Sequence, residues 1–461
     1  MKRIILTLVL GCMASYTTLS QCPTGDVMLT TQQEIDDFAV NYPGCTQLTH
    51  ELRVNGENSN ITNLNGLSAI TLADHLFVIS TNIPNFNGLH NLESAAYLSI
   101  SFNQNVSNLS GFDSLNNVNE LLVWFNANMI DLSGIENLNT IADIQVFQNF
   151  DLEDISVFQS ITTVNNLSLA GNALTSLAGL ENLETVTGDV FIANEALVNF
   201  NELSNLTTIG GSLFIYNFPL LTDISAFQNI HEVEDLIFAD CPSLSDFTGL
   251  ENVQTVHGTL RLGYNPLMTN LSIFQNLNSV GTLDVYANDS LASLSGVENL
   301  QGITGNLYLL NNPVLEDITA LNGLPYEEVN ELVIAQNPNL SVCDNDFVCG
   351  IVFDETIPEF IEYNDLGCDS SVQVAGACLL STQDFDRGEM IALVPNPVSS
   401  QLTVETFGNV LFQEATVLST LGSIIFKTYN SVIDVSNLAT GMYLVKIQTD
   451  KGMLTKKILK E

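Results

Sequence analysis

Residues 212–230 read Ser212-Leu213-Phe214-Ile215-Tyr216-Asn217-Phe218-Pro219-Leu220-Leu221-Thr222-Asp223-Ile224-Ser225-Ala226-Phe227-Gln228-Asn229-Ile230, and close variants of this phrase recur on both sides of it. Aligned on the apolar residue that opens each copy, the phrase begins at Leu52, Leu76, Leu98, Leu121, Ile144, Leu167, Val190, Leu213, Leu236, Leu260, Leu283, Leu307 and Leu332, at intervals of 22 to 25 residues. An internal period of that size is the signature of a solenoid, in which each copy is one turn of a coil.

Each copy opens apolar-x-apolar, as in Leu98-Ser99-Ile100 or Leu283-Asp284-Val285, which predicts a short strand with both large residues on one face. Five places after the first apolar residue an asparagine recurs, at Asn103, Asn126, Asn149, Asn172, Asn265, Asn288, Asn312 and Asn337. An amide there can satisfy backbone groups that a buried turn would otherwise leave unpaired. Cys241 takes this place in its own copy, so it reads as a small buried residue instead of a reactive thiol. The second half of each copy adds apolar residues such as Leu221 and Ile224, then a second asparagine column at Asn91, Asn137, Asn182, Asn205, Asn229, Asn252, Asn276 and Asn299. One turn cannot bury its apolar face alone, and stacking buries it. Thirteen strands at the usual spacing of about 4.8 Å give a coil about 60 Å long.

Residues 1–20 run from Lys2 and Arg3 through the apolar Ile4 to Leu10 into small and polar residues, the pattern of a secretory signal peptide. Cleavage after Ser20 leaves Gln21-Cys22 at the front; Val9-Leu10-Gly11-Cys12 offers a rival lipoprotein reading. No other stretch is apolar enough for a transmembrane helix. The charge is uneven. Residues 22–378 hold 44 acids against Arg53 and Arg261, a net −42, while residues 379–461 hold eight acids and seven bases. So negative a body repels nucleic acid and anionic membrane and favours solubility and association with cations. Cysteine usage agrees with export: Cys22 and Cys45 precede the repeats, and Cys343, Cys349, Cys368 and Cys378 follow them. They read as disulfides sealing the ends. Proximity pairs Cys22 with Cys45. The last four allow three connectivities, with Cys343–Cys368 and Cys349–Cys378 preferred.

The repeats resemble the receptor L-domain variant of the leucine-rich repeat. The resemblance covers residues 22–378 and rests on Cys22-Pro23-Thr24-Gly25-Asp26, on Cys45 before Leu52-Arg53-Val54, and on Leu206-Thr207-Thr208-Ile209-Gly210-Gly211 leading into Ser212-Leu213-Phe214-Ile215. It implies a mainly β, right-handed parallel β-solenoid of about 13 rungs with one continuous sheet face, and a role in binding. A linker at 379–392 then leads to alternating segments at 401–405, 423–427, 442–447 and 454–459, which suggest a small β-sandwich. Its landmarks are Pro395-Asn396-Pro397, the phrase containing Gly441 and Tyr443, and the ending with Lys456 and Lys457. They resemble the C-terminal sorting domain of the type IX secretion system of Bacteroidota. That resemblance implies the type IX machinery as a partner, an extracellular or outer-membrane-surface location, and removal of the tail with release or attachment to surface lipopolysaccharide. The expected organisation is a signal peptide (1–20), N-terminal cap (21–51), solenoid (52–342), cysteine-rich cap (343–378), linker (379–392) and sorting domain (393–461).

No metal-ligand spacing, nucleophile elbow or phosphate-binding loop is present, and the histidines, His50, His75, His90, His231 and His257, fall at different places in the repeat. The reading therefore assigns no catalytic residue, cofactor or metal. An alternative is a polysaccharide-active enzyme on a β-helix scaffold, since neighbouring rungs can set acids at glycosidase spacing. Arg261 stands in the outward middle of its strand one rung before Asp284, which predicts a cross-strand ion pair. The outward positions also carry Phe77, Leu122, Trp124, Phe147, Phe191, Phe214, Tyr216, Ile237, Tyr286, Tyr308 and Leu310. Such a strip serves either cross-strand packing or recognition of a protein or glycan, with Trp124 and Phe147 as its anchor.

Overall fold

The computed structural model describes residues 22–354, 356–380, 391–406, 411–420, 422–449 and 452–461. The expected signal peptide, the rival Cys12 site and most of the expected linker lie outside these residues. The chain divides into two compact units, Met1–Pro313 and Val314–Glu461.

In the first unit the repeat phrases form parallel strands paired in chain order. Leu52 stands opposite Leu76, Leu76 opposite Leu98, Leu98 opposite Leu121 and Leu121 opposite Ile144. The same column continues through Leu167, Val190, Leu213, Leu236, Leu260 and Leu283 to Leu307. These residues and the apolar residue two places on, such as Val54, Val78 and Ile100, are buried. The inside of the coil is thus a stack of like side chains, in which each rung covers the apolar face of the one before it. Buried phenylalanines brace the far side: Phe86 stacks on Phe112 at 4.8 Å, and Phe200 touches Phe218 and Phe227, both at 5.3 Å.

One further strand, Val27–Leu29, precedes the expected first rung, with Val27 opposite Leu52. It leads into helix Gln32–Asn41. Thr31 starts that helix with a capping box, accepting from the Glu34 N–H while the Glu34 carboxylate accepts from the N–H of Thr31 at 3.0 Å, which satisfies donors that a helix start leaves without partners. Ile35 and Phe38 face inward, and the Cys22–Cys45 disulfide closes this end.

The asparagines knit the corners. The N–H of Asn126 donates to Oδ1 of Asn149 at 2.9 Å, and Nδ2 of Asn149 donates to the Val123 carbonyl at 3.0 Å. The same two bonds recur at Asn103, Asn172 and Asn288. Each amide therefore serves a donor and an acceptor of the neighbouring turn, where water does not reach. The second column works on the outside: Nδ2 of Asn182 donates to the Gln159 carbonyl at 2.9 Å and Nδ2 of Asn252 to that of Gln228 at 2.8 Å. Glycines stand where turns touch. A Cβ on Gly179 (φ 106°) would lie 2.6 Å from the Ile155 carbonyl oxygen.

In the second unit, strands Glu331–Ala335 and Glu359–Glu362 pair in parallel. The Asn337 N–H donates to Oδ1 of Asn364 at 3.0 Å. Helices Asp346–Val352 and Ser371–Leu380 carry Cys349 and Cys378, which are joined, and Cys343 is joined to Cys368, the preferred connectivity of the three.

The C-terminal segment is antiparallel. Ile391–Val394, Gln401–Thr406 and Val432–Asp434 form one sheet; Ile424–Thr428, Phe412–Ser419, Gly441–Thr449 and Gly452–Lys460 form the other. Val398, Leu402, Val417, Val445, Ile447 and Ile458 are buried in its core.

Candidate functional site

Two outward columns run along the sheet of the first unit. The middle one contains Phe77, Ser99, Leu122, Gln145 and Ser168 in paired succession, and continues with Phe191, Phe214, Ile237, Arg261, Asp284 and Tyr308. Its large apolar and aromatic residues are half-buried. Phe77 lies under the Arg53 guanidinium at 4.0 Å, and Phe191 meets Phe214 edge-on at 6.3 Å. The expected ion pair forms: Arg261 Nε donates to Asp284 Oδ2 at 2.7 Å.

The second column lies two residues further on and is not a continuous aromatic strip. Ile79, Ser101, Trp124, Phe147 and Ala170 follow one another in register. Ala193 and Tyr216 hold the corresponding places in the next strands, and Tyr216 is paired with Ala239, Ala239 with Gly263, Gly263 with Tyr286 and Tyr286 with Leu310. Aromatic positions thus alternate with pairs of small ones. Over Gly263 the space is filled, because the Tyr286 ring occupies the place of a Cβ. Over Ala170 and Ala193 it is open.

That opening is a groove of about 830 Å3. Trp124, Phe147 and Phe150 bring aromatic rings to its lining, Ala170, Gly171, Ala193 and Ala196 bring small residues, and Gln148, Asn172, Glu195 and Asn217 supply polar groups. Trp124 is 38% exposed and Phe150 56%. The indole is fixed by its Nε1–H, which donates to Gln148 Oε1 at 3.0 Å, and by the Phe102 ring, edge-on at 4.7 Å. Phe102 in turn touches Phe125 at 5.3 Å, and Phe125 touches Phe150 at 5.6 Å. On the opposite side Asn217 Nδ2 donates to Glu195 Oε1 at 3.1 Å. A concave lining of aromatic rings with a few placed amides and one carboxylate suits a ligand that is apolar on one face and hydroxylated at its edge.

Phe102, Phe125 and Gln148 have φ of 57°, 55° and 54°. They belong to a column of left-handed corners, with Ser80, Asp240, Tyr264 and Ala287, one residue before the asparagine place. The left-handed turn of an L-residue is uncommon and costs of order 1 kcal/mol, and the buried residue after it, an asparagine at all of these corners but those followed by Thr81 and Cys241, holds the corner. No sequence rule marks Phe102, Phe125 or Phe150 as partners of Trp124; the only signal is their recurrence beside the asparagine column.

Of the predicted surface residues, the fold brings Trp124 and Phe147 together at the groove. Tyr216 is half exposed on the strand beside Ala193, whereas Phe77, Leu122, Phe191, Phe214, Tyr286 and Tyr308 do not line the groove. Cys241 is buried, and desolvation pushes its thiol pKa up to about 12. Among the described residues no three His, Cys, Asp or Glu side chains are grouped to hold a metal ion.

In the C-terminal segment, Asn396 ties the landmarks to the last strand. Its Nδ2 donates to the Lys457 carbonyl at 2.9 Å and its Oδ1 accepts from the Leu459 N–H at 2.8 Å, with Pro395 and Pro397 exposed on either side. Gly441 is paired with Lys460, Tyr443 with Ile458 and Val445 with Lys456. The Tyr443 hydroxyl donates to the Ala439 carbonyl at 2.9 Å.

The fold and these surfaces define a repeat protein: a leucine-rich-repeat solenoid followed by an antiparallel β tail. Residues 139–260 match six copies of the BspA type leucine rich repeat region, and residues 392–461 match the secretion system C-terminal sorting domain. The chain thus carries a BspA-type leucine-rich-repeat region and a type IX sorting tail, and the tail implies export to the cell surface or the medium. Among solved structures it is similar to an internalin (inlF) from Listeria monocytogenes, with 17% identity, TM-score 0.40, and 75% of this chain and 86% of that chain covered. It is also similar to a TLR13–ssRNA13 complex, with 16% identity, TM-score 0.32, and 72% and 56% covered. No curated protein matches the chain. Among the described residues no helix is long and apolar enough to cross a membrane.

Proposed function

We propose that the chain is a non-catalytic recognition protein that binds a protein or glycan through the outer face of its sheet, centred on Trp124 and Phe147. The observation that carries this reading is an indole left 38% exposed beside a groove that no side chain among the described residues fills. Exposed aromatic surface of this kind costs solubility and marks interaction sites. The sorting tail supports display outside the cell, with removal of the tail leaving the body free or joined to surface lipopolysaccharide.

A polysaccharide-active enzyme is less well supported, because the groove holds one carboxylate, Glu195, where glycoside hydrolysis uses two facing groups about 5 to 9.5 Å apart. The test is a glycan and surface-protein array probed with the mature protein and with its Trp124→Ala/Phe147→Ala variant. Binding lost in the variant while its circular dichroism stays unchanged supports the site. Equal binding by both rejects it.

A further inference from the structure

Building on the recognition role just proposed, we infer that the groove beside Trp124 takes an uncharged oligosaccharide. Charge is the first argument. Residues 22–378 contain only two basic residues, Arg53 and Arg261, and the groove is lined by neither. A phosphate, a sulfated or uronic-acid glycan, or an acidic peptide would have no counter-charge there and would face Glu195 and the field of the acidic body.

Shape is the second. A pyranose presents a C–H face and a rim of hydroxyls. The rings of Trp124, Phe147 and Phe150 line the groove together with the Gln148 amide, the Glu195 carboxylate and the Asn217 amide. Oε1 of Gln148 and of Glu195 are already engaged, with Trp124 and Asn217. These bonds fix the side chains in place, and a carboxylate retains further acceptor sites for hydroxyl donors. The Trp124 ring is held by Gln148 on one side and Phe102 on the other, so little side-chain entropy is lost on binding.

Length is the third. From the strand of Trp124 to that of Tyr216 there are four rung spacings, about 19 Å at the usual strand separation. The floor of Ala170, Gly171 and Ala193 keeps this length shallow and open, which fits a short linear chain of sugars better than one ring. A folded protein partner would need aromatic anchors spread over a broader patch, and the neighbouring column offers half-buried rings already engaged with one another, such as Phe191 with Phe214.

Trp124 is the only tryptophan in the chain, so its fluorescence reports this groove alone. The mature protein is titrated with cellotetraose, laminaritetraose, xylotetraose, mannotetraose and tetragalacturonate, and is also applied to a wider array of neutral glycans. A saturable blue shift with at least one neutral glycan, and none with tetragalacturonate, is expected. Ala193→Tyr, which fills the floor while leaving Trp124 in place, should weaken that binding roughly tenfold or more; Tyr286→Ala, further along the sheet, should leave it unchanged. If no neutral glycan shifts the spectrum or binds on the array, or if Ala193→Tyr binds as well as the parent, the inference is overturned. Binding of a surface protein that is lost in Trp124→Ala, with no glycan bound, would reject the oligosaccharide while keeping the recognition face. Ligand binding indifferent to both Trp124→Ala and Ala193→Tyr would reject both.

Discussion

Asn126 and Asn149 sit one turn apart, and the N–H of the first donates to the side-chain oxygen of the second at 2.9 Å while the amide nitrogen of the second reaches back to the Val123 carbonyl at 3.0 Å. Both asparagines are fully buried. The bonds are therefore made where a lost partner cannot be replaced by water, and each unmatched group costs about 1 to 3 kcal/mol.

Asn149→Leu should accordingly lower stability by about 2 to 4 kcal/mol, read as a drop in the urea midpoint. Asn182→Ala removes a similar amide from the exposed second column and should cost less than about 1 kcal/mol, because solvent takes over the bond. Equal losses at the two positions would contradict the assignment of the inner column as the structural one.

Cys241 stands in the inner column, where its N–H donates to Asn265 Oδ1 at 3.3 Å. Burial pushes its thiol up to about 12, against an ordinary value near 8.5. A native sample with intact disulfides should show no thiol labelled by a maleimide at pH 8, and one thiol after unfolding in urea. The linkage follows in sign: between the ordinary value and about 12 the unfolded chain gives up its proton and the folded chain does not, so stability contributed at this site falls as pH rises through that window. Labelling of the native protein at the rate of a free thiol would contradict the burial.

Asn396 fixes the last strand from both sides of Ile458. Asn396→Ala removes two exposed bonds, so it should loosen the end of the tail by about 1 kcal/mol or less and reduce export. Deleting residues 393–461 should stop export altogether. Cell fractionation with an antibody to the body reads both: the deletion variant is expected inside the cell envelope, and its undiminished appearance at the surface would contradict the role of the tail.

The coil itself was legible because its forces repeat. A large aliphatic residue at one position in thirteen copies fixes the register, and the register then placed Arg261 opposite Asp284 without further information. The asparagine column was equally plain except in the first two copies, which carry Glu57 and Thr81 there, and around residues 194–241. There the turn is one residue shorter, so Asn194, four places after Val190, takes the ladder bond from the Asn172 N–H at 2.9 Å. One rung later the place belongs to Phe218, which packs on Phe200. The groove was not legible. Trp124 and Phe147 stand out as large outward residues, but a depression is made by what is missing, here side chains beyond Cβ at Ala170 and Ala193, and by rings at left-handed corners whose direction no periodicity gives. The expected continuous aromatic strip is broken for the same reason.

The most direct test of the account is a pair of distances along the outer face. Spin labels on Leu122→Cys with Ile237→Cys span five rung spacings, and on Leu122→Cys with Tyr308→Cys eight. Double electron–electron resonance should give narrow distributions near about 24 Å and about 38 Å, one strand separation per rung. Distances that do not grow with rung number, or broad distributions at both, would show that the repeats do not stack in register.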